Sequence, residues 1–217
     1  MRNSSPAASL GLRLLRAAGG LFLFALGIYT QLAAGIGVAP WNVLNDGLAQ
    51  VLHMSFGNAS ILISLTIVLL DLFLGEPVGF GTLMDVFLIG WWVDWLVWLD
   101  FIPPPASLAG QLLVLVPGVF LVCFGQFLYM GAGLSCGPRD ALLVAVGKRL
   151  PRIPIGMVNL GLMALALLAG WLMGGVTGAG TLVTMFCTGF CMDLCFPCCI
   201  LSPVSSTRRA WLKLFQF

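Results

Sequence analysis

The chain carries one pattern twice. Gly35-Ile-Gly-Val-Ala-Pro40-Trp41-Asn42-Val-Leu44 returns 98 residues later as Gly133-Leu-Ser-Cys-Gly137-Pro138-Arg139-Asp140-Ala-Leu142. Gly79-Phe-Gly81-Thr82-Leu returns as Gly178-Ala-Gly180-Thr181-Leu, and Gly90 and Asp94 return as Gly189 and Asp193, each 99 residues on. Two long copies must each find the same local structure, so whatever the first half folds into, the second half folds into as well.

Composition says what medium the copies fold in. Hydrophobic residues make up 60% of the chain and charged residues 8%, against about 25% charge in a soluble domain. The chain therefore reads as a single integral membrane domain over residues 1–217. At about 20 residues per spanning helix, it has room for roughly six helices. The expected spans are 17–38, 57–75, 80–99, 110–132, 155–174 and 180–202. Ile102-Pro-Pro-Pro105 is an external turn, since consecutive prolines cannot continue a helix. It separates a first repeat, 17–99, from a second, 110–202. The basic N-terminus followed by an apolar run resembles a signal peptide. That run, Ala17–Val38, is long enough to span and has a counterpart near Val119–Ala132, so it counts as a helix of the fold.

Two segments remain, 40–52 and 138–150. Each opens with proline, which suits the first position of a helix. Each is too short to cross a bilayer, so each is a re-entrant half-helix or an interfacial helix.

All ten Lys and Arg fall in three places: Arg2, Arg13 and Arg16; Arg139, Lys148, Arg149 and Arg152; Arg208, Arg209 and Lys213. With a cytoplasmic N-terminus and six crossings, all three places lie inside, as the positive-inside rule requires. Only Asp46, His53 and Asp100 fall outside. Three spans per copy is an odd number, so the second copy enters from the opposite side. The expected architecture is an all-α membrane protein of two inverted three-helix repeats. Trp91, Trp92, Trp95 and Trp98 read as an interfacial aromatic belt.

Several constellations carry chemistry. The glycine-rich turns end in proline and enter short helices whose N-termini attract anions. Pro40, Trp41, Asn42 and Asp46 in one copy, and Gly137, Pro138, Arg139 and Asp140 in the other, are the candidate substrate-binding residues. Carboxylates in membrane segments default to functional candidates. Asp85, Asp94 and Asp193 are the candidates for ion coupling, with Arg139 as a partner for one of them. Asp71 and Glu76 lie near an inner span end and are expected to be hydrated. The Gly-x-Gly-Thr motif lacks a nucleotide fingerprint and reads as a tight turn with threonine capping the next helix. Cys187, Cys191 and Cys195 share a helical face, followed by Cys198 and Cys199. They read as small apolar packing residues more than as a soft-metal site, and no metal or cofactor is expected. His53 with Ser55, Ser60 and Ser64 is weak ground for a triad. No other nucleophile–base pair is present, so no enzyme activity is expected.

Gly-x-Gly-x-x-Pro-Trp-Asn at 35–42, Gly-Pro-Arg-Asp at 137–140 and Gly-Trp-Leu-Met-Gly-Gly-x-x-Gly-x-Gly-Thr at 170–181 resemble the YczE/YyaS/YitT family of bacterial membrane proteins. The resemblance covers about residues 15–195 and implies a multi-pass protein of the bacterial plasma membrane. Its cysteine-rich end departs from the family pattern. Inverted repeats are a plan of secondary transporters, with the site where the halves meet. The leading expectation is a transporter or permease for a small anionic or zwitterionic solute. The alternative is a non-transporting accessory or scaffold protein. Membrane lipids and an unidentified solute are the expected partners, with a homodimer as the assembly for so short a chain and no nucleic acid.

Overall fold

The computed structural model describes residues 6–195, with side chains over 10–188. Among these residues there are eight helices and no strand: α1 (Pro6–Ala34), α2 (Pro40–Leu52), α3 (Phe56–Phe73), α4 (Phe80–Leu99), α5 (Leu108–Gly131), α6 (Pro138–Arg149), α7 (Ile155–Leu172) and α8 (Ala179–Cys195). Five of them, α1, α3, α4, α5 and α7, are long and apolar enough to cross a membrane. The sixth expected span, 180–202, begins with α8, and its residues past 195 lie outside the described residues. The two short segments are α2 and α6, each with proline at its start.

The helix ends follow from the repeated glycines. The first span stops at Ala34, short of the expected Val38, because Gly35 takes φ 68° and Gly37 φ 108°. Gly133, 98 residues after Gly35, takes φ 64° and stops α5 the same way. That region is costly for any residue with a Cβ.

α1 and α5 pack antiparallel along most of their length. A Cβ on Gly20 would lie 2.8 Å from Gly125 O, and one on Gly27 would lie 2.6 Å from Gly118 O. Gly20 and Gly118 are 98 residues apart, as are Gly27 and Gly125. Each glycine therefore meets the counterpart of the other. In lipid, where no hydrophobic force drives helices together, such close backbone approach is a main source of association. Arg13 seals one end, donating from Nε to Ala132 O at 2.7 Å and from Nη2 to Gly133 O at 2.6 Å.

The other contacts exchange in the same manner. α4 packs on α1 and α8 on α5; α2 packs on α7 and α6 on α3. The Gly-x-Gly-Thr motifs hold this exchange. Gly180 N donates to Ile36 O at 2.8 Å, and the Thr82 hydroxyl donates to Cys136 O at 2.9 Å and lies 2.7 Å from Ser135 Oγ. Each motif thus grips the glycine-rich turn of the other half. This corrects the capping role expected for Thr82: α4 is capped by Gly79 with no side-chain bond. Thr181 does keep a local role, accepting from Gly178 N at 3.3 Å.

Trp91, Trp95 and Trp98 are exposed, as a lipid-interface belt requires. Trp92 instead turns inward, edge-on to Phe22 at 5.4 Å.

Candidate solute site at the facing half-helices

Both short helices pack between α3 and α7, and their N-termini meet. Trp41 is in the first turn of α2 and Arg139 in the first turn of α6. Arg139 Cζ lies 5.4 Å from the centroid of the Trp41 ring, a cation–π distance. Positions 41 and 139 are counterparts in the repeat, so the point where the two halves face each other is this contact. Among the described residues no ion pair within 4 Å engages Arg139; it lies over the Trp41 ring, and Asp85 and Asp140 act on it electrostatically. Its fork of N–H donors remains for another acceptor. A cation at a helix N-terminus opposes the helix dipole, so two such ends plus a guanidinium form a strongly positive point.

Two carboxylates flank it. A Cβ on Gly137 would lie 3.0 Å from Asp85 Oδ2 and 3.8 Å from Asp140 Oδ2. A side chain at 137 would press on Asp85 and meet Asp140 at ordinary contact, so glycine leaves room for the Asp85 carboxylate at the start of α6. Asp140 Oδ2 accepts from Gln126 Nε2 at 3.3 Å, on α5. Burial pushes the Asp140 carboxyl up, while the Gln126 hydrogen bond and the Arg139 charge pull it down. Burial also pushes the neighbouring Cys136 thiol up, with Asp140 adding to it, so this cysteine is a neutral thiol and not a thiolate ligand. The arrangement holds opposite charges close without joining them: a tryptophan face holds the arginine, and an amide holds the aspartate. Such a site is complementary to a solute bearing both signs.

Other predicted residues fall in varied places. Pro40 and Pro138 are buried at the helix starts, as is Gly137. Among the described residues, Asn42, 3% exposed, has no partner for Oδ1, and Asn45, one turn on and fully buried, has none for either amide atom. The sequence reading missed Asn45 and Gln126; for Asn45, a polar residue on the buried face of a short helix was the available signal. Asp46 lies elsewhere. It accepts from Val176 N at 2.7 Å and Gln50 Nε2 at 3.0 Å, joining α2 to the turn after α7. Asp94 accepts from the Ser55 hydroxyl and from Gly57 N at 2.7 Å, closing the N-terminus of α3. The side chain of Asp193 lies outside the described residues. Asp71, expected to be hydrated, has no exposure at all. Cys187 packs with Val119 and Cys123 in a small apolar cluster. The side chains of Cys191 and Cys195, and Cys198 and Cys199 altogether, lie outside the described residues.

A family described as "Family of unknown function (DUF6198)" matches residues 12–197 of the chain. An uncharacterized protein of Haemophilus influenzae is 32% identical over 168 residues, 75% of this chain and 76% of the relative. The uncharacterized membrane protein YczE of Bacillus subtilis is 32% identical over 181 residues, 82% of each chain. The uncharacterized protein YyaS of the same organism is 25% identical over 197 residues, 88% of this chain and 96% of its own. No solved structure matches the chain.

Proposed function

The chain belongs to this family of unknown function, and we propose that within it the protein works as a small secondary transporter of the plasma membrane. Two inverted halves enclose one solute site between the N-termini of α2 and α6, with both chain ends in the cytoplasm. The carrying observation is the Arg139–Trp41 contact, where the counterpart positions of two half-helices meet. The exchanged contacts of α2 with α7 and of α6 with α3 support the inverted arrangement. Discontinuous helices that aim their N-termini at one interior point are a transporter device.

The solute this site fits is a small zwitterion. Its anionic group would lie on Arg139 and the helix ends, and its cationic group on Asp85 and Asp140. Asp85 is the coupling candidate closest to the site; Asp94, and Asp193 as its repeat counterpart, lie farther along their helices.

One observation favours the accessory reading. In α7, 17% of the most apolar window is buried, against 33–39% in the other spans. Leu160, Leu165, Leu168 and Leu172 are left exposed, a face for lipid, a second copy or a larger complex. Uptake into proteoliposomes separates the two readings. A panel of labelled small zwitterions and carboxylates is offered to the wild-type protein and to Arg139→Ala and Asp85→Asn. The transporter reading expects uptake of at least one zwitterion, lost in both variants. Uptake of none, or flux unchanged in both variants, removes it in favour of the accessory role.

A further inference from the structure

Among the described residues, Asp71 is a fully buried carboxylate with neither oxygen partnered. It sits in the last turn of α3. Its own carbonyl accepts from Glu76 N at 2.9 Å, which folds the following turn back toward it. There the C-terminal end of α6 closes on the end of α3. Lys148 Nζ binds the two Glu76 oxygens at 2.7 and 2.9 Å. Arg149 donates to Leu74 O at 2.9 Å and to Ala145 O at 3.1 Å. The two cations of this joint are therefore spent on other acceptors.

A bare carboxylate without donor or counter-charge is a state that buried groups avoid by taking up a cation. A metal ion needs several oxygen ligands, and among the described residues no group of three Asp, Glu, His or Cys side chains gathers. A proton needs the carboxylate alone. Packing does not ask for an acid here. The counterpart of position 71, 99 residues on, is Gly170, which meets α2 through backbone only.

We propose that Asp71 is a proton-binding site, distinct from the Arg139 centre, loaded from the basic side of the protein through the α3–α6 joint. The step is a simple transfer: the carboxylate takes a proton from water admitted at the joint and later returns it there. Titratable and charged groups on the elements packed against α3 are Asp46 and His53 of α2 and its cap, Asp85 and Asp94 of α4, and Arg139, Asp140, Lys148 and Arg149 of α6. Cys136 precedes α6, and Glu76 follows α3. Of these, Glu76 acts electrostatically on Asp71, and Asp71 in turn acts on Cys136. The site stands without the transport reading, in which Asp85 remains the coupling candidate.

The test is infrared spectroscopy of the full chain in lipid nanodiscs at neutral pH, in H2O and D2O. The wild type is expected to show the carbonyl stretch of a protonated carboxyl. Asp71→Asn removes that band, Glu76→Gln keeps it, and Asp71→Glu shifts it, which covers the case in which the Asn variant misfolds. Lys148→Met, which loosens the joint, speeds the deuterium shift of the band; a merely structural acid would not respond. No band in the wild type, or a band indifferent to both Asp71 variants, overturns the proposal. So does replacement of the band by a carboxylate signal on adding sodium chloride at fixed pH, which makes the site one for a metal cation. None of these readouts depends on solute uptake, so failure of the transport reading is seen separately.

Discussion

The α2–α7 joint and the α3–α6 joint are built from counterpart positions, yet they close by different means. In α2–α7, backbone meets backbone: a Cβ on Gly170 would lie 2.5 Å from Leu44 N, and one on Gly47 would lie 2.5 Å from Gly170 O. Gln50 reaches the turn at Gly174, which takes φ 89°. In α3–α6, Gly75 makes the matching turn with φ 80°, but Lys148 stands where Gln50 was, and it holds Glu76. Asp71 stands where Gly170 was. Apolar backbone contact has one arrangement and no use for water. A charge clasp loses little when water replaces its partners. The same scaffold therefore has one stiff joint and one joint that opens easily, and the labile one is on the basic side.

The sharpest way to break this comparison is one substitution at both counterparts. Gly170→Leu must push apart Val43 and Leu44 backbone that cannot yield, at a cost of about 3 kcal/mol or more. Thermal unfolding of the full chain in nanodiscs, followed by tryptophan fluorescence, reads it. An unchanged midpoint would mean that the α2–α7 contact is not the stiff one. Asp46→Ala comes next. It removes a carboxylate from Val176 N and Gln50 and costs about 2 kcal/mol, the range for a hydrogen bond to a charged group.

Why the labile joint was not foreseen is instructive. The eight helices of the described residues were legible because apolar runs and turn residues are local signals. The site was half legible: the Pro-Trp-Asn and Gly-Pro-Arg-Asp blocks mark both helix starts. Asp71 was misjudged because counting residues along a span measures depth only. Its burial comes from the helices packed beside α3, and no periodicity in α3 announces it. The repeat did contain the clue, since Gly170 at the counterpart position needs a close neighbour. The cross-grip of Thr82 on Cys136 was illegible for the same reason, being a contact between halves, and Gln126 of α5 meets Asp140 of α6 only once the second half has folded.

At the counterpart of Gly170 the sign reverses. Asp71→Leu, nearly equal in shape, replaces an unpartnered buried acid with an apolar side chain and is expected to gain about 1 kcal/mol. Loss of stability there would mean that the acid is held by a partner and the two joints are less different than they look. A gain accompanied by loss of the infrared band would show stability given up for function.

The smallest effect on stability discriminates the joints best. Lys148 is 53% exposed and Glu76 10% in their side chains, so Lys148→Met costs only about 0.5 kcal/mol or less. Its consequence is in access. Cys136 lies at the start of α6, half-buried, and feels both Asp71 and Glu76. In a chain keeping Cys136 as its sole cysteine, Lys148→Met should speed labelling by a membrane-impermeant maleimide added on the basic side. Asp46→Ala, four times as costly, should leave that rate unchanged, because it loosens the other joint. Equal acceleration by both variants would mean that the two joints open together, as one unit, and the asymmetry of charge would then set only which side holds the proton.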